Sequence, residues 1–493
     1  MSYIGKDPAI LDNFVTAVAS GTLANGSKVI VNADGTVSAV GLIAVNQATG
    51  TPVAFESDSV EWQGLAYDSN SNRVVVAYVD TGDSNKGKAV VGTVNAANNS
   101  ISFGTPVVFE SANQPRYCVA TFDSNSNRVI IIYSDGGNSS YGTAIVGTVD
   151  SSDNSISFGS EVVFESAAVD EMGATFDSSA NRAVIAYRDK GNSNRGTAIV
   201  GTVDSSDNSI SFGTPVVFLS ADSRNNAISF DSTANKVVIA YADNSSTYRG
   251  TAIVGTVDSS DNSISFGSQA VFANAATGNI GCAYDSNSDR TVIAYADAQE
   301  DGTAIVATVS GTSISFGTAV EFDGDASLQN KIVFDSNVNK VVNIYRDGGN
   351  SNRPTMIVGT VDSSDNSISF GTAVTVSNSG SNYYASVFDT ISKKVIVVFQ
   401  DDTNTAGTAV VFQASGSAPN LTAENYIGIS DSVYTDGQDA VIQVGGSVDD
   451  AQSSLTVGQS YFVQTDGSLG TTADDPSVFA GTAIAATKLV VKG

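Results

Sequence analysis

An aromatic-Asp-Ser/Thr tripeptide recurs seven times along the middle of this chain, beginning at Tyr67, Phe122, Phe176, Phe230, Tyr284, Phe334 and Phe388, with spacings of 55, 54, 54, 54, 50 and 54 residues. A repeat of that length implies stacked supersecondary units, either solenoid turns or propeller blades. Each unit reads as four strands. Strand a ends on the tripeptide, and strand b is an apolar run ending at Tyr78, Tyr133, Tyr187, Tyr241, Tyr295, Tyr345 or Phe399. Strand c is of the Ala-Ile-Val-Gly-Thr-Val type, and strand d carries Ser-Ile-Ser-Phe-Gly. A run apolar on both faces belongs between two neighbouring sheets, whereas alternation suits an outer strand. The short unit loses its residues in two turns, Asp297 to Gly302 and Ser310 to Thr312. Strands keep their length while loops absorb the change.

The ends of the repeat region decide between an open and a closed stack. The seventh unit has strands a, b and c but no Ser-Ile-Ser-Phe-Gly after them. The region begins with a spare d-type segment, Gly50-Thr51-Pro52-Val53-Ala54-Phe55-Glu56-Ser57, which matches Gly104 to Ser111 at seven of eight positions. A missing last strand and a spare first one imply a ring closed by the N-terminal strand, which also removes exposed sheet edges. The expected fold is all-β: a seven-bladed β-propeller over residues 40–415, with small β modules at both termini.

The flanks are read as an attachment segment at 1–39, a linker at 416–419 and a C-terminal β module at 420–493. Pro8 to Ala19 has apolar residues at spacings of three and four, which predicts a short helix. Lys28 to Asn32 and Thr36 to Ala39 read as a hairpin around Asp34-Gly35. Tyr461 to Leu469 echoes Val29 to Val37.

Composition narrows the chemistry. Lys plus Arg number 23 against 51 Asp plus Glu, a formal charge of −28, which disfavours nucleic acid and anionic membranes as partners. No apolar run approaches the roughly 18 residues of a membrane helix. The N-terminus lacks a basic-then-apolar leader pattern, so synthesis and retention in a cytoplasm is the expectation. Histidine is absent, which removes Ser-His-Asp and Cys-His catalysis and imidazole metal sites. Cys118 and Cys282 lie three units apart and read as small buried side chains.

In a propeller the d–a and b–c loops share one face, opposite the a–b and c–d turns. The turns of the second face repeat almost unchanged, as Asp-Ser-Asn-Ser-Asn-Arg and Asp-Ser-Ser-Asp-Asn-Ser. The d–a loops all differ, as a recognition surface would. Trp62, Arg116, Tyr117, Arg224, Tyr383 and Tyr384 are the candidate contact residues, since aromatics and arginine dominate binding energetics. Asp80, Asp135, Asp189, Asp243, Asp297, Asp347 and Asp401 follow strand b and are expected to cap the next turn. The turns at Asp150, Asp204, Asp258 and Asp362 lack the Gly and Glu of a calcium loop. Strand a offers small residues to the channel, Gly64, Ala120, Gly173, Ala227 and Gly281, with Lys331 an exception. That leaves no paired carboxylates for glycoside hydrolysis. Neither a catalytic residue, a metal nor a cofactor is expected.

Tyr133 to Val149 and Tyr187 to Val203, with the pattern Tyr-x-Asp-x-Gly-Asn-Ser-x-x-Gly-Thr-Ala-Ile-Val-Gly-Thr-Val, resemble repeats of tail-fibre-like and virion structural proteins of marine tailed phages, cyanophages among them. Leu455 to Gly467 and Ala480 to Leu489 look like a module appended to the same class, and Gly26 to Gly35 is similar to β modules of phage tail and capsid-decoration proteins. The resemblance implies a non-enzymatic virion component, a tail fibre or tail tip, made in a host cytoplasm. Its partners would be other virion proteins and a host-surface glycan or protein, and it would form a homo-oligomer. A capsid decoration or tail-nozzle subunit is the alternative, and a glycan-degrading propeller is a third class.

Overall fold

The computed structural model describes residues 13–111 and 114–492. It contains two compact units. One combines residues up to Val45 with those from Ser417 onward, and the other runs from Asn46 to Gly416.

The larger unit is a seven-bladed β-propeller. In blade 1, strand a (Val60–Asp68), strand b (Arg73–Asp80) and strand c (Lys86–Asn95) pair antiparallel in order. Strand d comes in two halves, Ser100–Phe103 and Val107–Glu110, which pair with the far and near ends of strand c. Four-stranded sheets of this kind follow through blade 6. In blade 7, Ser381–Asp389, Lys394–Asp401 and Ala406–Gln413 supply strands a to c. The fourth strand is Ala48–Thr49 and Val53–Glu56, with Val53 opposite Ala409 and Glu56 opposite Gly407. The N-terminal strand therefore closes the ring.

Strand b explains its own sequence. Val74, Val76 and Tyr78 share a core with Ile396 and Val398 of blade 7, while Val75, Ala77 and Val79 pack with Val129, Ile131 and Tyr133 of blade 2. Because successive side chains point to opposite faces, every residue from Val74 to Asp80 is interior, and none tolerates a polar side chain without a partner. Phenylalanines from strand d lock neighbouring blades. Phe109 lies 5.3 Å from Tyr133, and Phe164 lies 5.4 Å from Tyr187, centroid to centroid.

The repeated turns are uniform because they bolt blade to blade. Arg73 Nε donates to Asn154 Oδ1 at 2.6 Å and its Nη2 to the Ser151 carbonyl at 2.8 Å, so the a–b turn of blade 1 grips the c–d turn of blade 2. Arg128 and Asn208, Arg182 and Asn262, and Arg290 and Asn366 repeat the arrangement. The Gly of Ser-Ile-Ser-Phe-Gly serves the same junction. A Cβ on Gly104 would lie 2.1 Å from the Asn154 carbonyl oxygen.

The smaller unit interleaves the two ends of the chain. One sheet has the order Phe14–Val18, Asp439–Gln443, Tyr426–Ser430, Lys28–Val31, Val37–Ala39. A second sheet is built from Val448–Asp449, Lys488–Val491, Val478–Ala485, Ser460–Val463 and Leu469–Gly470. Two separate terminal modules are thus replaced by one. Ile30, Val40, Ile429, Val463, Leu489 and Val491 form its shared core, and neither end buries enough apolar surface alone. The helix expected over Pro8 to Ala19 is corrected as well. Its first residues lie outside the described ones, and Phe14–Val18 is an edge strand hydrogen-bonded to Asp439–Gln443.

The echo between the ends extends to the structure of the turns, and the pattern has a third copy. Gly35 N–H donates to the Asn32 carbonyl and Thr36 N–H to Asp34 Oδ1; Gly467 and Ser468 repeat this with Gln464 and Asp466. Gly26 and Gly35, Gly437 and Gly446, and Gly458 and Gly467 share a nine-residue spacing, and all six have positive φ between 78° and 94°. In the middle copy the strands part, Asp439–Gln443 joining the first sheet and Val448–Asp449 the second.

Candidate functional site

Strand a of every blade is interrupted by a β-bulge near its start, with register shifts between Glu61 and Gly64, Arg116 and Val119, Asp170 and Gly173, and at the matching positions of the other four blades. One residue in each bulge has φ between 50° and 57°: Trp62, Tyr117, Glu171, Asn225, Asn279, Gln329 and Tyr383. All seven line the central channel, a cavity of about 540 Å³. A bulge re-aims a side chain out of the pleat, and here the repeat does so seven times. The result is a ring at the loop-bearing end of the channel.

The ring is linked along its circumference. Asn225 N–H donates to Glu171 Oε2 at 3.1 Å, Asn279 N–H to Asn225 Oδ1 at 3.0 Å, Gln329 N–H to Asn279 Oδ1 at 2.9 Å, and Tyr383 N–H to Gln329 Oε1 at 2.6 Å. Each side chain thereby satisfies the exposed amide of the next blade's bulge. Aromatic contact then continues it from Tyr383 through Trp62 to Tyr117. The Trp62 ring lies 5.1 Å from Tyr383 and 4.3 Å from Tyr117, centroid to centroid.

Of the six residues expected to make contacts, Trp62, Tyr117 and Tyr383 converge in this way. Arg116 is exposed beside them, its Nη2 donating to Gln114 at 3.0 Å. Arg224 is tied to Asp222 at 3.4 Å, in a network where buried Arg188 also holds Asp222 at 2.6 Å and Asp170 at 3.2 Å. Tyr384 is corrected. It is 2% exposed, its hydroxyl bonded to Ser381, because the residue after the bulge turns between blades.

Sequence reasoning missed Glu171, Asn225, Asn279 and Gln329. The signal was present: each ring residue stands five positions before the aromatic of the tripeptide. Position 120 is also corrected, because Val119 is the counterpart of Gly64, Gly173, Ala227, Gly281, Lys331 and Ala385. The small residues at that level serve packing. A Cβ on Gly64 would meet the Val119 backbone at 2.8 Å, and one on Gly173 the Asn226 carbonyl oxygen at 3.0 Å.

Among the described residues the channel wall carries one ammonium, Lys331, and one carboxylate, Glu171. Lys331 is open to the channel yet walled by protein, and burial draws its ammonium below the usual lysine range, partly offset by Glu171. Burial lifts the Glu171 carboxyl, with repulsion from Asp170 adding to it. Cys118 and Cys282 are free thiols on the same wall, and burial pushes both up to about 12.

The carboxylates that follow strand b cap turns. Asp80 Oδ1 accepts from the N–H groups of Gly82 and Asp83, and Asp401 Oδ1 from those of Thr403 and Asn404. The Asp150 turn is likewise self-contained, its carboxylate accepting from Ser152. One acidic cluster stands apart. Glu110, Asp135 and Glu161 bring carboxylate oxygens within 4.8 Å of one another. At the equivalent place between blades 7 and 1, Lys88 Nζ bonds Asp80 at 2.6 Å and lies 3.9 Å from Glu56. Thr143 replaces that lysine in blade 2. Burial pushes the Glu161 carboxyl up to about 7, with repulsion from Glu110 adding to it.

No protein-family model matches the sequence, and no curated protein sequence matches it. Solved structures resemble it at low identity. The Saccharomyces cerevisiae protein Sqt1 aligns at 10% identity with a TM-score of 0.44, over 76% of this chain and all of its own. A Pseudomonas aeruginosa periplasmic gluconolactonase, PpgL, aligns at 11% and 0.46, over 73% and 96%. A protein from Lactobacillus plantarum aligns at 12% and 0.46, over 74% and 98%. This chain is a β-propeller. The strand pairings given above establish that, and they establish no activity.

Proposed function

We propose that the protein is a non-enzymatic structural and adhesive component of a tailed-phage particle, a tail fibre or tail-tip protein whose propeller presents its loop face to a host surface. The observation that carries this reading is the asymmetry of the two faces. One face repeats the same Arg-to-Asn bolts from blade to blade, while the other displays seven side chains of five kinds at one structural position. A scaffold that fixes geometry and frees identity at a single offset is suited to recognition. The resemblance of Tyr133 to Val149 and Tyr187 to Val203 to phage virion repeats supplies the setting. Among the described residues Glu171 is the one carboxylate lining the channel, which supports a binding role over hydrolysis, since glycosidases use a pair on either side of the scissile bond.

Gold-labelled antibody against the propeller, imaged on intact particles, is expected to decorate the tail tip or fibres. Label confined to the capsid shell would replace this reading with a decoration subunit, and release of reducing ends from host polysaccharide by the purified chain would replace it with an enzyme.

A further inference from the structure

We infer that the channel mouth is a binding site for an anionic saccharide, a pyranose bearing a carboxylate such as a uronic acid. The inference rests on the reading of the loop face as a recognition face and names its ligand.

The ring's own hydrogen bonds set its chemistry. A backbone N–H must meet an oxygen, so the Oδ1 atoms of Asn225 and Asn279 are committed to the next blade and their orientation is fixed. Their Nδ2 groups are left facing no protein acceptor among the described residues. Lys331, on the same wall, is in no ion pair among them either. The polar side of the channel therefore offers two free amide NH₂ groups and one ammonium against one carboxylate, Glu171, whose Oε2 is already taken by the Asn225 N–H. A ligand that fits it carries acceptor oxygens and negative charge.

The other side is aromatic. Trp62, Tyr117 and Tyr383 form one contiguous surface, and pyranose rings present C–H faces to such surfaces while their hydroxyls reach sideways. A cavity of about 540 Å³ lies within the usual range for small-molecule sites.

Trp62 is the only tryptophan, so intrinsic fluorescence reports this site directly. Titration of the full-length protein with a galacturonate trimer is expected to give a saturable change in emission, at least ten-fold tighter than with a galactose trimer. Lys331→Met is expected to reduce uronate affinity to the neutral-sugar level. Circular dichroism identifies any variant that fails to fold, and Lys331→Gln then replaces it. Equal affinity for the two trimers, no response to either, or tighter binding of a free amino acid than of the uronate overturns the inference. Adsorption of the purified chain to host cells is measured in parallel. Adsorption that persists without any uronate response removes the ligand assignment and leaves the recognition role standing, whereas label on the capsid with no adsorption removes the role itself.

Discussion

Arginine opens strand b at positions 73, 128, 182 and 290, and lysine at 236, 340 and 394. The choice follows the neighbouring turn. Each arginine faces an asparagine in the next blade's c–d turn, whereas Lys236 faces the shortened turn of blade 5 and bonds the Asn235 carbonyl instead. A planar guanidinium can grip a side-chain oxygen and a carbonyl together, and an ammonium cannot hold that geometry. Arg128→Lys is expected to cost about 1–2 kcal/mol in urea unfolding, while Lys236→Arg is expected to change nothing. Gly104→Ala, with its Cβ driven against the Asn154 carbonyl oxygen, should cost more than about 2 kcal/mol. Glu161 provides a pH test. Its carboxyl is raised to about 7 in the fold from an ordinary value of 4.5, so the folded state binds the proton more tightly than the unfolded chain. Its contribution is thus fully present below about pH 4.5 and lost as pH rises through about 7. Melting temperatures of wild type and Glu161→Gln, measured from pH 4 to 8, should diverge in that window, with the variant losing less.

At the scale of strands and turns, the sequence is most legible where the physics is local. Strand b can be read from its unbroken apolar run, and the d-type segment at Gly50 to Ser57 announces its place because it copies Gly104 to Ser111. Removing residues 46–57 would leave the strand Ala406–Gln413 unpaired along one side and Tyr78 without Phe55, which lies 5.1 Å away. Such a deletion is expected to lower the melting temperature and to produce oligomers in size-exclusion chromatography, as open strand edges do. The ring of bulges was less legible. A bulge leaves no composition signature, and residues as unlike as Trp62, Glu171 and Asn279 share only an offset from the tripeptide. Asn and Gln favour or tolerate positive φ, but Trp62, Tyr117 and Tyr383 adopt it only because the fold imposes it. The terminal unit misled in another way. Apolar spacing in Phe14–Val18 suits a helix, yet its backbone is claimed by a strand more than 400 residues away, and only tertiary pairing decides such a case.

For the molecule as a whole, the formal charge of −28 works against compactness. Carboxylates on the strand b exits and the c–d turns are largely satisfied by backbone N–H groups, so repulsion between them is felt at longer range, where salt screens it. The melting temperature is expected to rise between low ionic strength and 0.5 M NaCl at neutral pH, and to rise less in a variant with several exposed Asp residues of these turns changed to Asn. Closure of the ring also sets an order of events during synthesis. The strand Val53–Glu56 leaves the ribosome early, and its partner in blade 7 begins 407 − 56 = 351 residues later. At about 5–20 residues per second, that is a wait of roughly 20–70 s. Phe55 can settle against Tyr78 of blade 1 as soon as that blade forms, while the strand's hydrogen-bonding edge stays open. The growing chain thus carries, for most of its synthesis, one sticky end held in place by a side chain and reserved for the last blade to arrive.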